Sequence, residues 1–510
     1  MSSLNYLIDT NVFIGLEDDK QVDTEVASFL ALANKHGVGV FIHEAAKDDI
    51  ARDRDENRRA ISLSKISKFQ TLKKVRGLTP SALSSQYGDL PKPNDVVDAT
   101  LLHALDTGAI DFLITEDRGL HSRARTFAPH LSRRVLFIAD AAALLVSTYE
   151  PVAVPIRYVE EVSAHEIPRD DEIFSSLREG YAGFDVWWQK CVKKHRRCWV
   201  VFDDGLAGLI VRNQETRQET DATLAGEKIL KICTFKVRPE KRGIKLGELL
   251  LKKALWFAHS NKFDVVYLTT KSEQQALIDL IEYYGFRHTK TLAGNELVYE
   301  KAMSREKLEV ATGEDLYEAA KREYPRFYTG DRTSGYVIPI REAYHDTLFP
   351  ELKDDSQGDL LAMAGLGAGP SRPGNTIRKV YLCRAKADLS AAGSILFFYK
   401  GSSNLPPSQA ITTVGILEDM KLASSTIDLM RLAGGRSVYS EAQLKEWNAS
   451  PERPVKVINF LLAGYIAPPV PLPLLQSKGV FSSHPPQSIK GLDKAGLAAV
   501  LSHANLGFRT

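Results

Sequence analysis

Cysteine is scarce. Cys191, Cys198, Cys233 and Cys383 are the only four in 510 residues, and no two form a Cys-x-x-Cys pair. A disulfide framework and a cysteine-ligated structural zinc are therefore excluded as organising principles. No run of 18 apolar residues and no charged-then-apolar leader occurs, which predicts a soluble, cytoplasmic chain with no membrane partner. An excess of one charge sign is also missing. The net charge is +2, so any affinity for nucleic acid has to come from local patches. What is present is ordinary globular composition, 44% apolar and 25% charged, enough for several packed cores. The chain is too long for one core, and three domains are expected.

Residues 1–148 alternate short apolar strands (Tyr6–Ile8, Gly37–Ile42, Asp111–Thr115, Val135–Ala139) with helical stretches such as Val96–Leu105. That alternation predicts an α/β domain with a mainly parallel sheet. Pro151 and Pro155 mark Tyr149–Ile156 as a linker. A second α/β domain is expected over 157–303. It reads strand Lys228–Val237, helix Leu246–Ser260, strand Val265–Thr270, helix Ser272–Tyr284 and then a hairpin. Ser272 and Gln275 have capping-box spacing, and Gly285 stands where a helix ends. Over 320–510, β-type runs (Gly335–Ile340, Ile377–Cys383, Ile395–Tyr399) and dense Pro and Gly predict a small barrel-like β domain. Gly365–Gly374 reads as a mobile insert.

The most informative stretch is Tyr6-Leu7-Ile8-Asp9-Thr10-Asn11-Val12-Phe13. A carboxylate ending a buried strand is costly unless something pairs with it, and a divalent cation is the usual partner. Glu44 follows the second strand and Asp117 the third. Asp95 and Asp98 share a helical face. Parallel strands end on one edge of a sheet, so these acids converge there. Mg²⁺ or Mn²⁺ would relieve their repulsion and help a water attack a phosphate. The competing reading is that Asp9 and Asp117 are turn residues and Asp95 a helix-start acid.

This set resembles the PIN nuclease family: Leu-Ile-Asp-Thr-Asn, then Glu44, then Asp98-Ala99 before Leu101-Leu102-His103-Ala104, then Ile114-Thr115-Glu116-Asp117. The resemblance covers about 140 residues. It implies that Asp9, Glu44, Asp98 and Asp117 are catalytic, metal-binding acids and that Thr115 positions them, with Asp95 as an auxiliary. Between Asn57 and Arg76 there is no acid, but Arg58, Arg59, Lys65, Lys68, Lys73, Lys74 and Arg76 lie opposite Ile66, Phe69, Leu72 and Val75 on a helical pattern. Such a stripe suits a phosphate backbone, or equally a solvated face.

In the second domain, Val237-Arg238-Pro239-Glu240-Lys241-Arg242-Gly243-Ile244-Lys245-Leu246-Gly247 joins a strand to an amphipathic helix. Free N–H groups at such a junction bind pyrophosphate. The turn resembles the acetyl-CoA loop of the GNAT acetyltransferase family. The later strand, helix and Gly285-Phe286 pair match that family too, as does the hairpin Trp199–Phe202 and Gly208–Val211. The resemblance implies acetyl-CoA as cofactor, held by Val237, Arg242, Gly243, Lys245, Leu246 and Gly247. Two departures stand out. Lys245 occupies a usual glycine position, and Ile281 a usual general-acid tyrosine position, with Tyr283 and Tyr284 as near substitutes. Glu227, Asp264 and Glu273 are candidate bases. Lys193-Lys194-His195-Arg196-Arg197 is a basic cluster suited to CoA phosphates, RNA or solvent.

The C-terminal strands Gly393–Lys400, Ile411–Leu417 and Pro454–Leu462 are similar in order to PUA-like families of the ASCH and EVE type, which implies RNA or modified-base binding. Phe327, Tyr328, Phe397, Phe398 and Tyr399 are stacking candidates, with Arg378, Lys379, Arg384 and Lys386 nearby.

The resulting expectation is a multidomain α/β enzyme: a PIN-like three-layer α/β domain, a GNAT-like α/β domain and a PUA-like β-barrel. It would join metal-dependent ribonuclease and N-acetyltransferase modules to an RNA-binding module, in a toxin-like or RNA-processing role. RNA, single-stranded or tRNA-like, is the expected partner, and the oligomeric state is left open. Two alternatives stand beside it. One is an N-acetyltransferase whose flanking domains only recruit an RNA or ribonucleoprotein substrate, the other a non-catalytic RNA-binding scaffold.

Overall fold

The computed structural model describes residues 4–14, 24–51, 56, 59, 63, 66, 67, 69–72, 77–150, 158–203, 205–238, 241, 245–352, 376–389, 391–402, 407–434, 439, 441–482 and 484–507. The chain divides into two compact units. One comprises 1–152, 423–435 and 439–454, the other 153–422, 436–438 and 455–510.

The first unit is built on five strands, β1 (Asn5–Ile8), β2 (Gly39–His43), β3 (Gln70–Leu72), β4 (Phe112–Ile114) and β5 (Val135–Leu136). Their order is β3-β2-β1-β4-β5, and every pair is parallel. Alternation along β1 sends neighbours to opposite helical layers. Tyr6 stacks on Phe112 at 5.1 Å and meets Phe29 of the helix Thr24–Lys35 at 5.5 Å. Leu7 joins Ala99, Leu102 and Leu105 of α1 (Pro93–Asp106) in a core that also holds Leu120 of α2 (Arg118–Phe127). The expected strand Val135–Ala139 is shortened to β5, because a helix starts at Ile138, whose N–H donates to Glu116 Oε1 at 2.8 Å. The helix Thr426–Ala433, far along the chain, belongs to this unit, and its Arg431 Nη1 lies 3.8 Å from Asp111 Oδ1.

The second unit contains two sheets. The first runs in order β11-β12-β10-β9-β8-β7-β6. Its strands are β6 (Glu160–Ser163), β7 (Arg197–Phe202), β8 (Leu206–Glu215), β9 (Ile229–Val237), β10 (Val265–Thr270), β11 (Arg287–Thr291) and β12 (Leu297–Ala302). The helices α3 (Phe184–Lys193), α4 (Leu246–Ser260) and α5 (Gln275–Tyr283) pack around it. The expected capping box does not form. α5 begins at Gln275, whose Nε2 donates instead to Asp279 Oδ1 at 3.1 Å, one turn on.

The other sheet has strands β13 (Gly335–Ile340), β14 (Arg378–Cys383), β15 (Ile395–Lys400), β16 (Ala410–Ala423), β17 (Val455–Pro471), β18 (Lys490–Leu492) and β19 (Leu506–Gly507). They run β14-β17-β16-β15-β13-β18, with β19 beside β17. Among the described residues this path is open at β14 and β18, so the expected barrel closure is not found. The insert expected at Gly365–Gly374 lies outside the described residues. So does most of the basic stripe. Of its seven cations only Arg59 is described, 3.7 Å from Glu56.

Candidate functional site

At the carboxyl edge of the first unit's sheet, backbone pairing continues past the strands, as Asp9 N–H donates to Ile114 O at 2.9 Å. That step fixes Asp9 beside Thr115. Asp9 Oδ2 accepts from Thr115 Oγ1 at 2.7 Å and from Asn11 Nδ2 at 2.9 Å, while Oδ1 accepts from Thr10 N–H at 2.7 Å. The Asp9 carboxyl is nevertheless raised above its ordinary range, because burial outweighs those donors. Thr115 is the hub of the network. Its hydroxyl also accepts from Asn11 Nδ2 and from Asp117 N–H, each at 3.0 Å. Asp98, half-buried on α1, is pushed up to about 7 by burial first and then by the negative charges of Asp9 and Asp117. The sequence-predicted Asp9, Asp98, Thr115 and Asp117 thus share one edge.

The expected metal set is less complete. Asp117 Oδ1 caps α2, accepting from Gly119 N–H at 2.6 Å and Leu120 N–H at 3.3 Å. Glu44 stands exposed after β2. Asp95, the auxiliary, is tied to Arg123 Nη2 at 2.9 Å. Among the described residues no group of three or more His, Cys, Asp or Glu side chains is arranged to hold a metal ion. The residues as placed do not form a cage for Mg²⁺ or Mn²⁺.

In the second unit the sheet opens a wedge. β9 and β10 pair in parallel only from Ile229↔Val265 to Ile232↔Leu268. Beyond that, β9 continues with β8 as far as Val237↔Gly208, and β10 continues with β12 as far as Thr270↔Leu297. The β9 edge from Cys233 to Val237 therefore faces a gap. At its mouth begins α4, whose N-cap Lys245 has a left-handed φ of 63° and gives no side-chain capping bond. The first N–H groups of a helix have no partner within it, so this end offers donors and positive potential to an anion. Of the predicted cofactor set, Val237, Lys245, Leu246 and Gly247 border this wedge. Arg242 and Gly243 lie outside the described residues.

Several expected catalytic groups are elsewhere. Asp264 and Glu227 sit at the opposite end of β9 and β10, where Asp264 Oδ2 accepts from Glu227 and Lys228 N–H, both at 2.9 Å. Tyr284 is buried, and burial holds its hydroxyl well above the ordinary range. Tyr283 OH accepts from Arg378 Nη1 at 3.0 Å. Neither tyrosine replaces the acid missing at Ile281, itself in the core. Of the three candidate bases, Glu273 is the one at the wedge end, exposed just after Lys271, whose ammonium donates to Gly180 O at 2.8 Å and covers the Tyr181 ring at 4.5 Å.

Residues 162–286 match the family model described as Acetyltransferase (GNAT) family. That GNAT segment spans β6 through α5 and contains the wedge. No curated protein sequence matches the chain. Among solved structures, an acetyl-CoA complex of NAA60 from Arabidopsis thaliana overlaps at 13% identity, covering 29% of this chain and 98% of that one, with a TM-score of 0.23. An IAA acetyltransferase from Bacillus cereus overlaps at 14% identity over 29% of this chain and 99% of its own, TM-score 0.23. ASCH from Zymomonas mobilis overlaps at 18% identity over 34% of this chain and 99% of its own, TM-score 0.24. Overlaps this partial assign nothing to the chain by themselves.

The aromatics of β15 give no stacking surface. Phe397, Phe398 and Tyr399 are core residues at 0–1% exposure, since every residue of β15 is covered on both faces. Arg378 and Lys379 are spent internally, Lys379 Nζ donating to Leu348 O at 2.8 Å. Arg384 and Lys386 stay exposed. Phe327 and Tyr328 are half-buried, and Tyr328 OH donates to Asp331 at 2.9 Å.

Proposed function

We propose that the GNAT segment of the second unit transfers an acetyl group from acetyl-CoA to an amine. The observation that carries this is the gap between β9 and β10 opening onto the uncapped start of α4. Acetyl-CoA supplies, when bound, a thioester carbonyl open to attack by the amine nitrogen. The N–H groups of Leu246 and Gly247, with the ammonium of Lys245, hold pyrophosphate at the helix start. Along β9, the N–H groups between Cys233 and Val237 that point away from β8 orient the carbonyl and stabilise the negative charge it develops. Glu273, an exposed carboxylate at this end, is the candidate base best placed to take the proton that the amine loses as the C–N bond forms; the C–S bond breaks, and the CoA sulfur leaves as a thiolate that is protonated from solvent.

Calorimetry of the full chain with acetyl-CoA tests this. Saturable heat is expected, and it should vanish in Gly247→Glu, which sets a carboxylate at the pyrophosphate end. A Cβ there meets Leu280 Cδ2 at 3.2 Å, so the helix itself needs little adjustment. Absence of heat at millimolar ligand sinks the assignment.

We propose a second reading for the first unit, RNA phosphodiester hydrolysis of the PIN type. Asp98 favours it, because a carboxyl poised at about 7 suits proton transfer at neutral pH. Thr115 and Asn11 hold Asp9 beside it. No step is assigned to a metal ion, since the side chains do not form a cage. Asp98→Asn should abolish cleavage of a single-stranded RNA while the circular dichroism spectrum is unchanged. Equal rates for variant and parent eliminate the reading.

A further inference from the structure

We propose that the open cavity between the end of β6 and α3 binds a nucleotide, by its phosphate at the rim and its base within. The cavity measures about 500 Å³ and is lined by Ile167, Pro168, Arg169, Trp188, Val192 and Lys193 among others. That volume suits a ligand of mononucleotide size. β6 lies three positions from β9 in the strand order, a lateral separation of about 14 Å at ordinary strand spacing. The cavity is therefore distinct from the wedge.

Trp188 decides the chemistry. It is 1% exposed, and its indole Nε1 has no hydrogen-bond partner. A buried donor left unmade costs about 1–3 kcal/mol, so such a group is normally satisfied by something. Aromatic rings pack around the indole, Phe174 tilted by 49° at a centroid distance of 4.6 Å, Trp187 at 6.2 Å and Phe184 at 6.4 Å. The one polar atom that Trp188 can give a ligand is this indole N–H. Around it, Ile167, Pro168 and Val192 give apolar walls.

The rim is cationic. Lys193 is exposed and makes no ion pair among the described residues. Arg169 lies 3.6 Å from Asp185 and is 58% exposed. Lys194 and His195 follow in the same basic run, and the His195 ring sits 5.5 Å from that of His165, another lining residue. The acid in the wall, Glu166, is engaged locally, since its Oε1 accepts from Ser163 N–H at 2.6 Å.

A ligand that satisfies both ends needs an anionic group outside and an acceptor atom inside an apolar body. A fatty acid has no inner acceptor, and inorganic phosphate has no body. A nucleotide has both, with phosphate toward Lys193 and Arg169 and a base carbonyl or ring nitrogen toward the indole N–H. The nucleotide could be free or part of an RNA strand, and the two share this chemistry.

The test is calorimetry on the full chain with AMP, adenosine, decanoate and a hexameric oligoadenylate, each with and without saturating acetyl-CoA. AMP or the oligomer is expected to bind, with adenosine and decanoate much weaker. Tighter AMP marks a free nucleotide, and a tighter oligomer marks an RNA residue. Trp188→Phe keeps an aromatic, though smaller, ring and loses the donor, and should weaken binding about tenfold. Lys193→Glu, a surface change, should weaken it at least as much and guards against misfolding of the tryptophan variant. The proposal fails if neither AMP nor the oligomer binds at millimolar concentration. It fails equally if Lys193→Glu binds as the parent does, or if acetyl-CoA displaces AMP.

Discussion

Asp98 gains nothing from ionising in the folded state. Its carboxyl titrates at about 7, against an ordinary value near 3.8, because burial and two neighbouring carboxylates disfavour its charge. With the folded value raised, the native state holds a proton that the unfolded chain releases between about pH 4 and pH 7. Stability is therefore lost as pH rises through that window. Asp98→Asn should stabilise the first unit at pH 8 by about 1–3 kcal/mol, allowing for partial solvent screening, and by almost nothing at pH 4. Thermal melts of parent and variant at both pH values check this, and an equal difference at both would refute the coupling. The acids of this edge were largely legible in the sequence, since a carboxylate directly after an apolar run marks a strand end. What the motif order concealed was how those acids are used. Asp117 is half committed to its own helix, and Asp95 to Arg123. Asn11 stood in the quoted motif, but its role as a clasp on both Asp9 and Thr115 depends on a contact 104 residues away.

Elements were read most faithfully where local and tertiary preferences agree. Helix Leu246–Ser260 and strands Val265–Thr270 and Gly335–Ile340 have the boundaries expected from their periodicity and flanks. Length was misread in β16, whose end carries Glu418, Asp419 and Lys421, and in β17, whose end carries Pro468, Pro469 and Pro471; both ends are ordered by cross-strand partners that no short window contains. Lys245 explains why a glycine position can hold another residue. Its φ of 63° is in the region that glycine favours, and the lysine tolerates it at a cost of about 1–2 kcal/mol. Gly285, after α5, has no such latitude. Its φ is 84°, and an added Cβ would sit 1.9 Å from Arg322 O of the helix α6 (Leu316–Arg322). Gly285→Ala should lower stability by about 2–3 kcal/mol, read as a shift of the denaturant midpoint. A midpoint within error of the parent would show that α6 moves aside freely.

At the scale of the molecule, composition changes near 157 and 320 mark segments, yet residues 153–422 fall in one compact unit. The reason lies in charges that look like surface charges in sequence. Lys252 of α4 is 2% exposed, and its ammonium is 2.6 Å from Glu351 Oε1. Glu248, one turn earlier, accepts from Arg378 N–H at 2.8 Å. Trp256 donates to Tyr324 OH at 2.7 Å, which in turn donates to Leu462 O at 2.9 Å. Partners this distant in sequence leave no local signal. Lys252→Met removes the ammonium paired with Glu351, whose side chain is 19% exposed, and should cost about 2–3 kcal/mol, while adding Glu351→Leu should recover most of it. Equilibrium unfolding of the single and double variants measures both, and a harmless single variant would mean the pair is hydrated.

The same helix that opens the wedge at its first turn is held along its length by Arg378 and Tyr465 of the far sheet and by Glu351 and Tyr324 outside it. Softening that sheet by heat or mutation should then blunt acyl-carrier binding at a distance, with both signals fading in a single cooperative melt. Fusion partners or nicks near residue 460 would dull the pocket without ever touching it.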